Sequence, residues 1–197
     1  MKGFMRIAAV VLTVAVAACA SQPPLANEPL VWEPTLTPGF GIFDLSTLGQ
    51  TRIQFGGFTD TRHDPQRIGE NRDQDPPNPV TTNGDVPGFV GGHMHELFAH
   101  SGLNIVEGNG SVVLSGEVRQ FFVVEKDQAY QGDVTVHLTL RNRAGAVLWE
   151  GSASGAAGNS GKTYRLENYY QALSDAVIKA TTTLMQDPDF RWALARR

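Results

Sequence analysis

Apolar and polar residues change rhythm along the chain, and each rhythm predicts an element. An unbroken run of apolar and small residues from Ile7 to Ala18 follows the charged Lys2 and Arg6. A helix needs about 20 residues to cross a hydrocarbon core of about 30 Å, so this run is too short to span it and has instead the layout of a signal peptide. Residues 19–38 carry five prolines and little apolar periodicity, which predicts an extended tether. In Thr51 to Phe58, Ile53 and Phe55 alternate with Arg52 and Gln54 as in a half-buried strand. Asp60 to Asp85 is polar and holds Pro65, Pro76, Pro77 and Pro79, predicting a long irregular loop. Asp85 can cap a helix whose Phe89, Val90, Met94, Leu97 and Phe98 share one face, with Ser101-Gly102-Leu103 as its stop.

Three extended segments follow, Ser111 to Val124, Gly132 to Asn142 and Ala146 to Gly155. In the middle one Val134, Val136, Leu138 and Leu140 alternate with Thr135, His137, Thr139 and Arg141, the mark of an antiparallel strand with one wet face. Ala144-Gly145 supplies the turn into the last strand. Tyr169, Leu173, Ala176, Val177, Ala180 and Leu184 then recur at helical spacing. They predict a long amphipathic helix, Asn168 to Met185, with Asn168 and Gln171 as a capping box. Asp187-Pro188 ends that helix and starts a short one through Trp192 and Leu194. The expected fold is α+β: strand, helix, three-stranded meander, helix, with two helices on one face of an antiparallel or mixed sheet. Expected organisation is a signal peptide at 1–18, a tether at 19–38, and one domain at 39–197 with a long loop at 60–85, as suits 197 residues.

Composition narrows the partners. Apolar residues at 41% fill an ordinary core, and 18% charged residues are too few for a disordered chain. Sixteen basic side chains face 20 acidic ones, a net charge of −4, and no stretch concentrates Lys and Arg. Nucleic acid is therefore not an expected partner, and no basic surface for a polyanionic glycan or lipid headgroup is expected either. Cys19 is the single cysteine, so neither an intramolecular disulfide nor a cysteine zinc cage can form.

Val16-Ala17-Ala18-Cys19 resembles the bacterial lipobox. The resemblance implies cleavage before Cys19 and attachment of lipid, palmitate included, to Cys19, each buried CH₂ adding about 0.8 kcal/mol of membrane affinity. Loss of residues 1–18 removes Lys2 and Arg6, leaving 14 basic against 20 acidic side chains and a net −6. Ala20 is not the Asp that holds lipoproteins in the inner membrane of enteric bacteria, which implies the periplasmic face of the outer membrane. Phe58-Thr-Asp-Thr-Arg62, Ser101-Gly102-Leu103, Val113-Leu-Ser-Gly-Glu-Val-Arg119 and the helix from Asn168 to Met185 before Gln186-Asp187-Pro188 complete an ordered set. With the lipobox, this set resembles the YajG-type lipoproteins of Gram-negative bacteria. More distantly it is similar to the amino-terminal domain of TolB, the curli secretion lipoprotein, lipoprotein activators of peptidoglycan synthases and auxiliary lipoproteins of envelope transporters. The resemblance implies no catalytic residue. It implies a module that binds or assembles an envelope protein or self-associates, or alternatively a carrier of lipid or a small apolar ligand between sheet and helices.

Other constellations are weighed against ordinary structure. Ala156-Ala-Gly-Asn-Ser-Gly161-Lys162-Thr163 fits a relaxed phosphate loop, but its strand belongs to a meander, so a Gly/Ser connection is expected and no nucleotide. His93, His95, Glu96 and His100 lack the four-residue histidine spacing of a zinc-protease helix, and no metal is expected. Asp60, Asp64, Glu70, Asp73 and Asp75 match no calcium loop. Phe121, Phe122, Tyr130 and Trp149 are expected to pack in the core. No Gly-x-Ser-x-Gly elbow is present, and the expectation is a non-enzymatic protein without a cofactor.

Overall fold

The computed structural model describes residues 23–36, 44–48 and 50–196. Its backbone is the predicted meander. The strands β6 (Val112–Lys126), β7 (Ala129–Asn142) and β8 (Val147–Ser160) pair antiparallel in sequence order. Asp127 and Gln128, both with positive φ, make the two-residue turn between the first pair, and Gly145 at φ +86° turns the second. Val134, Val136, Leu138 and Leu140 are buried while Thr135, His137 and Thr139 stand half-exposed on the opposite face, as the alternation requires.

The other edge of β6 is shared. β2 (Arg52–Asp60) runs parallel to its first half, from Ile53 beside Val112 to Asp60 beside Val118. β3 (Arg67–Asn71) runs parallel to its second half, from Gly69 beside Val123 to Asn71 beside Glu125. β5 (Asn104–Val106) extends the sheet beyond β2, and β4 (Asn78–Thr82) extends it beyond β3. The sheet therefore forks, and Arg62 fills the notch. Its guanidinium grips Asp60 through bonds of 2.9 and 2.7 Å and donates to the carbonyls of Phe121 at 3.2 Å and Arg67 at 3.1 Å. A charged fork with five donors thus takes the place of a missing strand at the gap.

The predicted loop at 60–85 is corrected by the β3–β4 hairpin inside it. Each of these strands contributes a single buried aliphatic side chain, Ile68 or Val80, too few to register as alternation. Gly69 and Pro79 read as breakers, yet a Cβ on Gly69 would lie 2.8 Å from the Val123 carbonyl oxygen, so only glycine fits against β6 there.

Helices α1 (Val86–His100), α2 (Leu166–Gln186) and α3 (Pro188–Ala195) cover the apolar face. Asp85 caps α1 by accepting from the Gly88 amide at 3.0 Å, and Gly102 at φ +84° follows its end, both as expected. The capping box expected for α2 is absent. The helix begins at Leu166, and Asn168 instead donates to the Lys162 carbonyl at 3.1 Å while Gln171 accepts from Asn159 at 3.1 Å. Asp187 ends α2 and caps α3 through the amides of Asp189 and Phe190. α2 lies almost in backbone contact with the sheet: a Cβ on Gly155 would meet the Ala176 carbonyl oxygen at 2.1 Å. Lys179 and Thr183 reach from α2 to the carbonyls of Ala156 and Ser154 on β8, at 2.9 and 3.1 Å. That support carries β8 through its Gly- and Ala-rich half to Ser160, past the Gly155 expected from propensity.

Candidate functional site

The segment expected to be a tether is built into the body over its described part, residues 23–36. β1 (Leu25–Glu28) adds a parallel strand to β4, with Leu25 beside Val80 and Glu28 beside Thr82. The Leu25 amide donates to the Tyr164 hydroxyl at 2.7 Å, and the Tyr170 hydroxyl donates to the Pro29 carbonyl at 2.6 Å. Ser174 accepts from the Glu33 amide at 3.0 Å. Asp175, only 5% exposed, accepts from the amides of Thr35 and Leu36 and from the Thr35 hydroxyl. Trp32 crosses to α1 and stacks on His93 with ring centres 3.8 Å apart. These residues form a strap across both long helices. Burial, then the nearby Glu28 and Glu33, push the Tyr170 phenol up to about 12. Cys19 and the lipobox lie outside the described residues. Cys19 precedes Leu25 by six residues, a reach of about 20 Å when fully extended.

Beneath the start of the strap sits Glu125, fully buried. One carboxylate oxygen accepts from the Tyr164 amide and the other from the Tyr169 hydroxyl, both at 2.7 Å. Burial and this carboxylate raise the Tyr169 phenol far above its ordinary range, and burial raises Tyr130 and Tyr164 as well. Tyr130 donates to the Lys162 carbonyl at 2.6 Å. The node ties the ends of β6 and β7 to the entrance of α2 and, through Tyr164, to the strap. Sequence reasoning passed over Glu125, although it falls at an inward position of its strand, two residues after Val123.

The constellations singled out in the sequence are spread among structural roles. Ala156 to Ser160 is strand, leaving 161–165 as the connection to α2. His93 meets Glu96 at 3.1 Å, His100 meets the Glu96 carbonyl at 2.8 Å, and His95 packs edge-on against Phe55. Among the described residues no three His, Cys, Asp or Glu side chains gather as metal ligands would. Asp60 holds Arg62, Glu70 holds Arg67 and Arg72, Asp64 accepts from the Gln66 amide, and Asp73 accepts from the Asp127 amide. Phe121, Tyr130 and Trp149 are buried in the core, with Phe122 half-buried beneath Arg67. On the wet face Ser152, His137 and Glu150 line up at 3.3 and 2.8 Å. His137 and Ser152 face each other across the β7–β8 pair, so the trio forms a cross-strand ladder.

At the far end of the sheet, where β2 and β6 begin and β7 ends, the strands and α3 enclose a cleft of about 660 Å³. Val112 and Ala193 lie in its floor, and Leu148 and Trp192 stand in its wall, Trp192 57% exposed. Arg52 and Arg196 form the rim, with Arg196 stacked 3.8 Å from the Trp192 ring centre. Asn142 connects the cleft to a second depression that Arg141 and Arg143 line. The fold brings Arg52 and Arg196, far apart in the sequence, to one cleft, next to the depression that holds Arg141 and Arg143.

The fold is shared with a solved bacterial protein. Protein XCC0632 from Xanthomonas campestris, described with the family model DUF330, superposes with a TM-score of 0.53 over 85% of this chain and 94% of that protein, at 14% identity. Lipoprotein GNA1162 from Neisseria meningitidis matches at a TM-score of 0.37 over 59% of this chain and 90% of its own, also at 14% identity. A Caulobacter crescentus protein with a provisional lipoprotein assignment matches at 0.43, with 14% identity over 54% of this chain and 80% of its own. No protein-family model matches the chain, and no curated protein does.

Within this fold the strap and the cleft lie at opposite ends. α2 starts at the Glu125 node and spans 21 residues, about 31 Å, before α3 carries Trp192 into the cleft. β8 runs back in the reverse direction over 14 residues. One end therefore receives the chain that follows Cys19, and the other offers apolar and cationic groups.

Proposed function

We propose that this protein is a lipid-anchored lipoprotein of the Gram-negative envelope, acylated on Cys19 and held at the periplasmic face of the outer membrane. There it acts without catalysis, as a module that binds or assembles another envelope protein. Within the envelope lipoproteins, the motifs between Phe58 and Pro188 align it with the YajG type. The observation that carries the reading is the strap: the residues after Cys19 are fixed to the body from Leu25 to Leu36, so an acyl anchor would orient the domain as well as retain it. Binding is favoured over catalysis because Glu125, Asp175, His93 and Glu70 each serve a structural hydrogen bond or ion pair. A carrier would need room between sheet and helices, where Gly155 and Gly132 lie against the backbone of α2.

The test is metabolic labelling with an alkyne palmitate, followed by membrane fractionation, on the native chain and on Cys19→Ser. Label and outer-membrane partition that vanish together in the variant are expected. A variant that still partitions with membranes, or an unlabelled native chain, overturns the anchor. Photocrosslinking in cells from position 75, on the β3–β4 hairpin, and from position 192 is expected to trap one dominant envelope protein. Trapped lipid at both positions would overturn the protein-binding role in favour of a carrier.

A further inference from the structure

We propose that the cleft between α3 and the open end of the sheet docks an acidic peptide segment of a partner protein. An apolar side chain of that segment lies against Trp192 and Leu148, and its carboxylates lie on Arg52 and Arg196. This deepens the binding role proposed above and rests on it.

The first observation is a displaced side chain. Along β8 the buried positions alternate from Trp149 onward, and strict alternation would send Leu148 to the wet face beside Glu150. Pairing slips there: Leu140 faces Trp149 and Arg141 faces Val147, so Leu148 is the extra residue of a bulge. The bulge turns Leu148 into the cleft against α3. A second large apolar side chain, Trp192, is held half-exposed in the same wall by the stacked Arg196. Tryptophan and arginine in one concave patch are the residue types that dominate binding energy at protein interfaces.

Charge decides the chemistry of the occupant. Among the described residues no acidic side chain lines the cleft, and Arg52, Arg141, Arg143 and Arg196 form no ion pair. They make a cationic island on a chain whose net charge is −4. An acidic segment is drawn to this end and repelled by the rest of the surface, which fixes its register.

Geometry decides between a peptide and a membrane. Leu25 lies at the end opposite the cleft, about 31 Å away along α2, and Cys19 precedes it by six residues, a reach of about 20 Å when extended. A lipid on Cys19 would therefore hold the bilayer nearer the strap end than the cleft. Among the described residues β8 is an edge strand that pairs with β7 alone, and side chains from α2 reach its carbonyls at Ser154 and Ala156. Its first residues, Val147 to Gly151, stay open beside the cleft for an extended segment to lie along.

The experiment selects binders from a phage library of random octapeptides on the full lipidated chain in detergent micelles. Affinities of the synthetic winners are then measured by fluorescence anisotropy. Enriched peptides are expected to place Asp or Glu beside Leu, Ile, Phe or Trp. They are expected to weaken about tenfold or more with Arg52→Glu/Arg196→Glu and with Trp192→Ala, since a central anchor or charge pair contributes about 1.4 kcal/mol or more. Lys162→Glu/Arg165→Glu makes the same charge change at the opposite end and is expected to leave binding within twofold. All five positions can be varied without entering the core, and thermal melts verify that each variant folds. No enrichment, enrichment without acidic residues, or winners that tolerate the Arg52 and Arg196 changes would overturn the proposal. So would Arg52- and Arg196-dependent binding of the full chain to phosphatidylglycerol vesicles in place of peptide. Failure of Cys19 labelling removes the anchor and its argument against a membrane, which the vesicle arm then decides, while selection in micelles proceeds with or without the lipid.

Discussion

The two ends of the sheet are built on opposite principles. At the strap end Glu125 satisfies Tyr164 and Tyr169, Tyr130 holds the Lys162 carbonyl, and β1 extends the sheet beyond the hairpin. At the cleft end the strands and α3 leave a concave opening, and Trp192 and Arg196 face water. The closed end supplies stability that permits an open one.

That contrast breaks first at Glu125. Replacement by Ala leaves the Tyr164 amide and the Tyr169 hydroxyl buried without an acceptor and opens a void. A loss of about 3 kcal/mol or more is expected from urea unfolding. Asp175→Ala comes next: three donors of the strap lose their acceptor, with an expected loss of about 1–3 kcal/mol. Amide exchange at Thr35 and Leu36 should quicken while that of β7 stays slow. Tyr170 then gives a dependence on pH. Its phenol titrates near 10 in the unfolded chain and at about 12 in the folded one, so its contribution is complete below pH 10 and is lost as pH climbs towards 12. Urea midpoints between pH 9 and 12 should fall less steeply in Tyr170→Phe. The smallest effect belongs to the cleft, where Trp192→Ala should change stability by no more than about 0.5 kcal/mol. A large loss there would mean that the open end also holds the fold together.

What the sequence displayed was local. The alternation of Val134 to Leu140, the Asp85 and Asp187 caps and the stops at Gly102 and Gly145 are all carried by near neighbours, and each was legible. β1, β3 and β4 were not, because their stability comes from partners far along the chain: Gly69 is specified by Val123 and Tyr169, and Leu25 by Val80 and Tyr164. The proline-rich stretch reads as a tether because proline avoids regular strands, yet Pro29 lends its carbonyl to Tyr170 and needs no amide to do so. The cleft stayed hidden for the same reason, since Arg52 and Arg196 share it only after the sheet forms. A bulge such as that at Leu148 moves a side chain between faces without changing any residue type.

The shared edge of β6 also sets a timetable. β6, β7 and β8 are successive hairpins, and hairpins close in about 1–10 μs. β2 and β3 pair in parallel with β6 across more than fifty residues of intervening chain, so they wait for its surface to exist. A polypeptide emerging amino terminus first therefore carries Ile53, Ile68 and Val80 uncovered until its second half arrives. Assembly begins near the carboxyl end, and the strap, first to appear, is last to settle.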